Sequence, residues 1–178
     1  MPDFKSLEEA NEVSAVRLVS KRQRAKVGDI FRLSPLEGIF LWGRLIKRAK
    51  FFGVNTEFNL VYIYDAIGPD RPSPSLLSPG NLIIGPSVVN DLGWARGYWE
   101  IVASESLDPV DILDRHLFIR YHGTGSARDY DIVDEQGHTV SFSNVQESRL
   151  AQSGFGNFNS IDWKLRSVLR ERGLIPVP

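Results

Sequence analysis

The chain has 178 residues, 42% hydrophobic and 24% charged, a composition expected of a soluble globular protein of about one domain. It contains no cysteine, which excludes a disulfide scaffold, thiolate metal sites and a cysteine nucleophile. Its formal charge is −1, yet residues 1–50 carry net +5, residues 51–150 net −8 and residues 151–178 net +2.

No apolar run near Met1 has the form of a signal peptide. The longest uncharged stretch, Pro72 to Asn90, holds four prolines, too many for a membrane helix. A cytoplasmic protein is the expectation. Ser6-Leu7-Glu8-Glu9 pairs a hydroxyl with a carboxylate three residues later, the capping-box pattern, and predicts a short helix from about Leu7 to Val19. Arg17, Lys21, Arg22, Arg24 and Lys26 then form a basic run. Such runs bind nucleic acid in some proteins and are solvated lead-ins in more of them. Residues 1–25 are read as this lead-in and residues 26–178 as one α+β domain.

Lys26 to Leu33 mixes apolar and polar residues with a period near two, the pattern of a half-buried strand, and Pro35-Leu36-Glu37-Gly38 supplies a turn. Ile39 to Ile46 is a second strand, in which Gly43 marks a bulge or a close backbone approach. Phe58 to Asp65 has the strongest β content of the chain. Pro69 to Pro86 holds five prolines and two glycines and reads as a long irregular excursion whose leucines and isoleucines must pack somewhere. Further strands are expected at Tyr98–Ala103, Leu117–Tyr121, Tyr130–Val133 and Thr139–Phe142, the last two joined through Asp134-Glu135-Gln136-Gly137. A closing helix capped by Asn159 or Ser160 places Ile161, Leu165, Val168 and Leu169 on one face, and Gly173 ends it. The expected fold is α+β: a strongly bent, mainly antiparallel sheet of five to seven strands, with barrel-like closure left open. The C-terminal helix covers one face and a short helix precedes the sheet.

Phosphate-binding loops, paired-histidine zinc helices and EF-hand loops are absent. His116, His122 and His138 fall within 23 positions near several aspartates, so a small hydrolase of the phosphoesterase kind is one alternative. A small nucleic-acid-binding barrel using Arg17–Lys26 is another. Trp42, Trp94, Trp99 and Trp163 are mostly core candidates, with Trp94 in a turn-like setting that would also suit the surface. On composition and motif, the chain looks more like a binding protein than an enzyme, with no cofactor and no metal.

Lys26-Val27-Gly28-Asp29-Ile30-Phe31-Arg32-Leu33, the following Pro-Leu-Glu-Gly turn and Leu41-Trp42-Gly43-Arg44-Leu45 together resemble the opening of the bacterial immunity protein 26 family. The likeness continues through Leu60–Asp65 and Gly97–Val102 and covers about residues 26–104. It implies a cytoplasmic immunity protein encoded beside a polymorphic toxin, acting by protein–protein contact. Some members carry a phosphotriesterase label, but the resemblance transfers no catalytic residue to this chain.

From Glu100 to Glu147 ten acidic residues face three basic ones. An acidic inhibitor face suits a toxin with a cationic cleft, such as a basic nuclease, and repels nucleic acid. The partner-binding residues are therefore expected to be Asp129, Asp131, Asp134 and Glu135, with Glu100, Asp108 and Asp111 as neighbours. The runner-up face is the apolar content of Pro69–Pro86.

Overall fold

Around Tyr62, side chains alternate between two faces: Leu60, Tyr62 and Tyr64 on one, Val61 and Ile63 on the other, all five fully buried. A strand buried on both faces has to lie inside a sheet covered on both sides. The computed structural model, which describes residues 15–121, 130–141, 151–152 and 156–176, shows this arrangement. The strand is β3 (Glu57–Ile67), flanked by β2 (Ile39–Lys50) and β4 (Leu82–Val89). With β1 (Asp29–Leu36) and β5 (Trp99–Ser104) they form an antiparallel sheet in the order β4-β3-β2-β1-β5. Register shifts occur in all four pairings, and bulges of this kind bend a sheet. The sheet stays open, with β4 and β5 at its edges.

A second, smaller sheet is three-stranded among the described residues. In it β6 (Phe118–Tyr121) runs antiparallel to β7 (Tyr130–Val133) and parallel to β8 (Ala151–Gln152). The C-terminal helix is Phe158–Glu171, and a single helical turn, Leu92–Ala95, precedes β5. We call the turn α1 and the long helix α2. On one face of the main sheet, Phe31, Leu33, Leu41, Leu45, Val61 and Ile63 share a core with Ile161, Leu165 and Leu169 of α2. On the other, Ile30, Trp42, Ile46 and Leu60 meet Phe118 and Val133 of the small sheet, together with Leu77.

Gly43 is a close approach: a Cβ there would lie 2.4 Å from the Phe31 ring and 2.8 Å from Ile63. Trp94 is fully buried rather than exposed, edge-on to Phe31 and Trp99 at 5.2 and 4.7 Å. Its turn-like neighbours are small because they must be: a Cβ on Gly93 would strike the Trp99 ring.

Several elements differ from the expectations. Residues 15–19, the end of the expected N-terminal helix, are not helical; Val16 donates its N–H to Ser34 O, and Leu18 and Val19 donate theirs to Gly97 O. These bonds tie the segment to the sheet as a strap, and such long-range partners compete with helical ones; residues 1–14 lie outside the described part. The first strand starts at Asp29, because Val27-Gly28 forms a turn in which Gly28 has φ +91°. The Pro-rich excursion is shorter, since Leu82 onward is β4. Pro86 is accommodated there because β4 is an edge strand, and its register shifts between the residues facing Val61 and Ile63. The α2 cap is Asn157, rather than the expected Asn159 or Ser160: its side chain accepts from the N–H groups of Asn159 and Ser160, while Ser160 Oγ accepts from the N–H of Asn157. The strand expected at Thr139–Phe142 is reduced among the described residues to a bridge between Thr139 and Val133.

Candidate partner-binding surface

The β2 segment Trp42-Gly43-Arg44-Leu45-Ile46 puts Trp42, Arg44 and Ile46 on the face opposite α2. Arg44 is therefore carried into the core on a strand, and a buried guanidinium needs partners. It is 4% exposed and pairs with Asp111 at 3.1 Å, while Nη2 donates to Ser106 O at 2.8 Å. Asp111 closes the 3-10 turn Pro109–Asp111, and its carboxylate also accepts the N–H of Asp108 at 3.0 Å. Arg44 thus draws two of the expected site residues, Asp108 and Asp111, onto the sheet.

Further along β2, Lys47 does the same for Glu135, at 2.6 Å. The other Glu135 oxygen meets His116 Nδ1 at 2.7 Å, and His116 Nε2 lies 2.5 Å from the Tyr62 hydroxyl, which accepts the N–H of Leu113 at 3.0 Å. The Glu135 carboxylate can only accept, so Nδ1 carries the hydrogen donated to it. The hydrogen bond from His116 lowers the Glu135 carboxyl to about 2, assisted by Lys47 and opposed by partial burial. Burial pushes the Tyr62 phenol up to about 12, so it remains a neutral donor.

The remaining acidic candidates are placed as follows. Asp131, on β7, pairs with Arg120 at 3.1 Å. Asp134 opens the turn after β7, accepting the N–H groups of Gln136 and His138, each at 2.9 Å. Desolvation opposes its charge, but those two donors and the His138 imidazole hold its carboxyl below the usual range. Glu100, on β5, is gripped by Arg32 through two nitrogens, at 2.6 and 3.1 Å. Asp129 and His122 lie outside the described residues. The structure thus gathers Asp131, Asp134 and Glu135 on one strand and its turn, Asp108 and Asp111 on another turn, and Glu100 on the sheet edge.

Counting charge along the chain missed the cations that come from elsewhere. Arg32, Arg44 and Lys47 belong to the basic N-terminal third, and each takes one acid of the later segment. The signal was present in β2, where Arg44 sits between apolar Trp42 and Ile46 on one strand face. Of the histidines, His116 is 8% exposed with both ring nitrogens bonded, while His138 is exposed beside Asp134. Among the described residues no three His, Asp or Glu side chains group as metal ligands, and no helix is long and apolar enough to cross a membrane.

No curated protein and no solved structure matches the chain. A family model does: Immunity protein 26 matches residues 26–125, from the residues leading into β1 past the end of β6, more than half of the chain. The stretch includes Arg32, Arg44, Lys47, Tyr62, Glu100, Asp111 and His116, and the chain belongs to the Immunity protein 26 family.

Proposed function

We propose that the chain binds a cognate protein toxin in the bacterial cytoplasm and neutralises it by occlusion, without a reaction of its own. Membership of the Immunity protein 26 family carries this reading. We place the contact on the acidic side formed by Asp131, Asp134 and Glu135, with Asp129, Asp108, Asp111 and Glu100 as neighbours, facing a basic toxin of the nuclease kind. The polar ties described above support it. Fixing the turn at Asp134 and the loop at Asp111 to β2 and β3 pre-organises them, and a pre-organised loop loses less entropy on binding. A hydrolase built on His116, His122 and His138 has less support, because His116 is buried and both its nitrogens are engaged.

The test is co-expression and association with the toxin-like protein encoded beside this chain. Asp131→Asn with Asp134→Asn removes two charges while keeping side-chain oxygens able to accept the turn's N–H groups. At low salt the variant should associate several-fold more slowly than the parent, and high salt should narrow the gap. Equal association rates at low salt would refute the acidic contact. Failure of the parent to bind the toxin or restore growth would refute the immunity reading itself.

A further inference from the structure

Four cations of the N-terminal strap are unused. Lys21, Arg22, Arg24 and Lys26 are exposed, and among the described residues their side chains form no ion pair or hydrogen bond. Their backbone is nonetheless held in place. Gln23 donates its N–H to Trp94 O, and its side-chain oxygen accepts the N–H of Ile101 on the outer edge of β5 at 3.0 Å. Ala25 is 6% exposed within the core beneath α2, and Lys26 donates its N–H to the Asp29 carboxylate at 2.7 Å.

Inward Gln23 and Ala25 therefore alternate with outward Arg22, Arg24 and Lys26. The three cations thus fall at alternate positions, which a fully extended chain would space about 7 Å apart. Among the described carboxylates, Glu100 is held by Arg32, Glu105 by Arg71, and Asp29 by the backbone of Lys26. A row of like charges on a fixed backbone repels itself, and an acidic partner would relieve that repulsion.

We propose that the strap is a docking strip for an extended, acidic protein segment. Its alternate carboxylates meet Arg22, Arg24 and Lys26, which are exposed. Alternate side chains of an extended peptide repeat about every 7 Å on one side, so such a peptide presents its carboxylates in a row to cations at alternate positions. Nucleic acid is the other polyanion, and the surface suits it less. Single strands are held by stacking on aromatic rings. The large apolar side chains exposed among the described residues are all aliphatic: Val27, Ile67, Leu76, Val102, Val110 and Leu174. The net −8 of residues 51–150 would also repel any polyanion longer than the strip. Most of the strip precedes the family match, which begins at Lys26, and its sign is opposite to that of the acidic turns, so it does not rest on the toxin reading.

The probe is a labelled peptide of alternating Glu and Val, its binding to the full chain followed by fluorescence anisotropy at low and high salt. A thymidine oligonucleotide of equal charge and a peptide with the same glutamates in one block serve as comparisons. The alternating peptide should bind best, and should weaken roughly tenfold or more at high salt. Arg22→Ser with Arg24→Ser, confirmed folded by an unchanged melting temperature, should weaken it by a similar factor. The proposal is overturned if the oligonucleotide binds more tightly than the peptide, if no peptide binds, or if the double variant binds like the parent.

Discussion

Beneath α2 the main sheet presents Phe31, Leu33, Leu41, Leu45, Val61 and Ile63, an apolar surface joined by the Trp94 and Trp99 rings. On its other face Arg44, Tyr62 and Tyr64 stand among the apolar side chains, and what covers them is a loop, a turn and a three-stranded sheet. The first face is closed by area removed from water, a non-directional force that supplies stability. The second is closed also by directed bonds, each fixing one segment: Arg44 the loop at Asp111, and Lys47, His116 and Tyr62 the turn at Glu135 and the backbone at Leu113. Directed bonds add less net stability but specify position. The proposed toxin-facing acids lie on the face where position matters.

This contrast is most easily broken at α2. Leu165 is fully buried, and Leu165→Ala should lower stability by about 3 kcal/mol through lost burial and a residual cavity. Urea unfolding monitored by tryptophan fluorescence would show it. A loss below about 0.5 kcal/mol would mean that α2 does not close that face.

The polar face should instead reveal itself through acid. Glu135 has its carboxyl depressed from 4.5 to about 2, so it stabilises the fold fully above the higher value. That contribution is lost as pH falls from about 4.5 toward 2. Allowing for solvent reaching one side of the group, it is roughly 2 kcal/mol. Glu135→Gln should therefore be less stable than the parent at neutral pH and should converge with it near pH 2. If the two unfolding curves stay parallel down to that pH, the His116 and Lys47 contacts do not set the acid sensitivity.

The sequence made the apolar face legible almost residue by residue. Ile161, Leu165, Val168 and Leu169 repeat with the helical period, and β3 announces itself by branched and aromatic residues; both signals are local. The ends of elements were harder to read, because they depend on distant partners: Gly97 O draws residues 18 and 19 out of a helix, and the edge position of β4 tolerates Pro86. The acidic candidates were legible as residues but not as an arrangement. Glu100, Asp111 and Glu135 are balanced by cations 67 to 88 positions away along the chain, a pairing that no window of sequence contains.

The smallest effects give the finest comparison, since two tyrosines on the same strand face differ in one respect. The Tyr62 hydroxyl accepts from Leu113 and reaches His116, whereas the Tyr64 hydroxyl is buried with no hydrogen-bond partner among the described residues, and burial raises its pKa well above the normal tyrosine value. Removing a bonded hydroxyl strands its partners, here the Leu113 N–H and His116 Nε2. Tyr62→Phe should then cost about 1–2 kcal/mol and speed hydrogen exchange at Leu113 while leaving the α2 amides protected. Removing an unpaired buried hydroxyl takes away a desolvation penalty, so Tyr64→Phe should be neutral or stabilising by up to about 1 kcal/mol. Equal losses in the two variants would show that the Tyr64 hydroxyl has a partner in solution, with bound water the simplest candidate. A stable Tyr62→Phe with unchanged exchange at Leu113 would show that the His116 network does not hold the loop. A loss confined to Tyr62 would locate the directed bonding of this face at His116 and Leu113, two residues along the strand from a tyrosine that only packs.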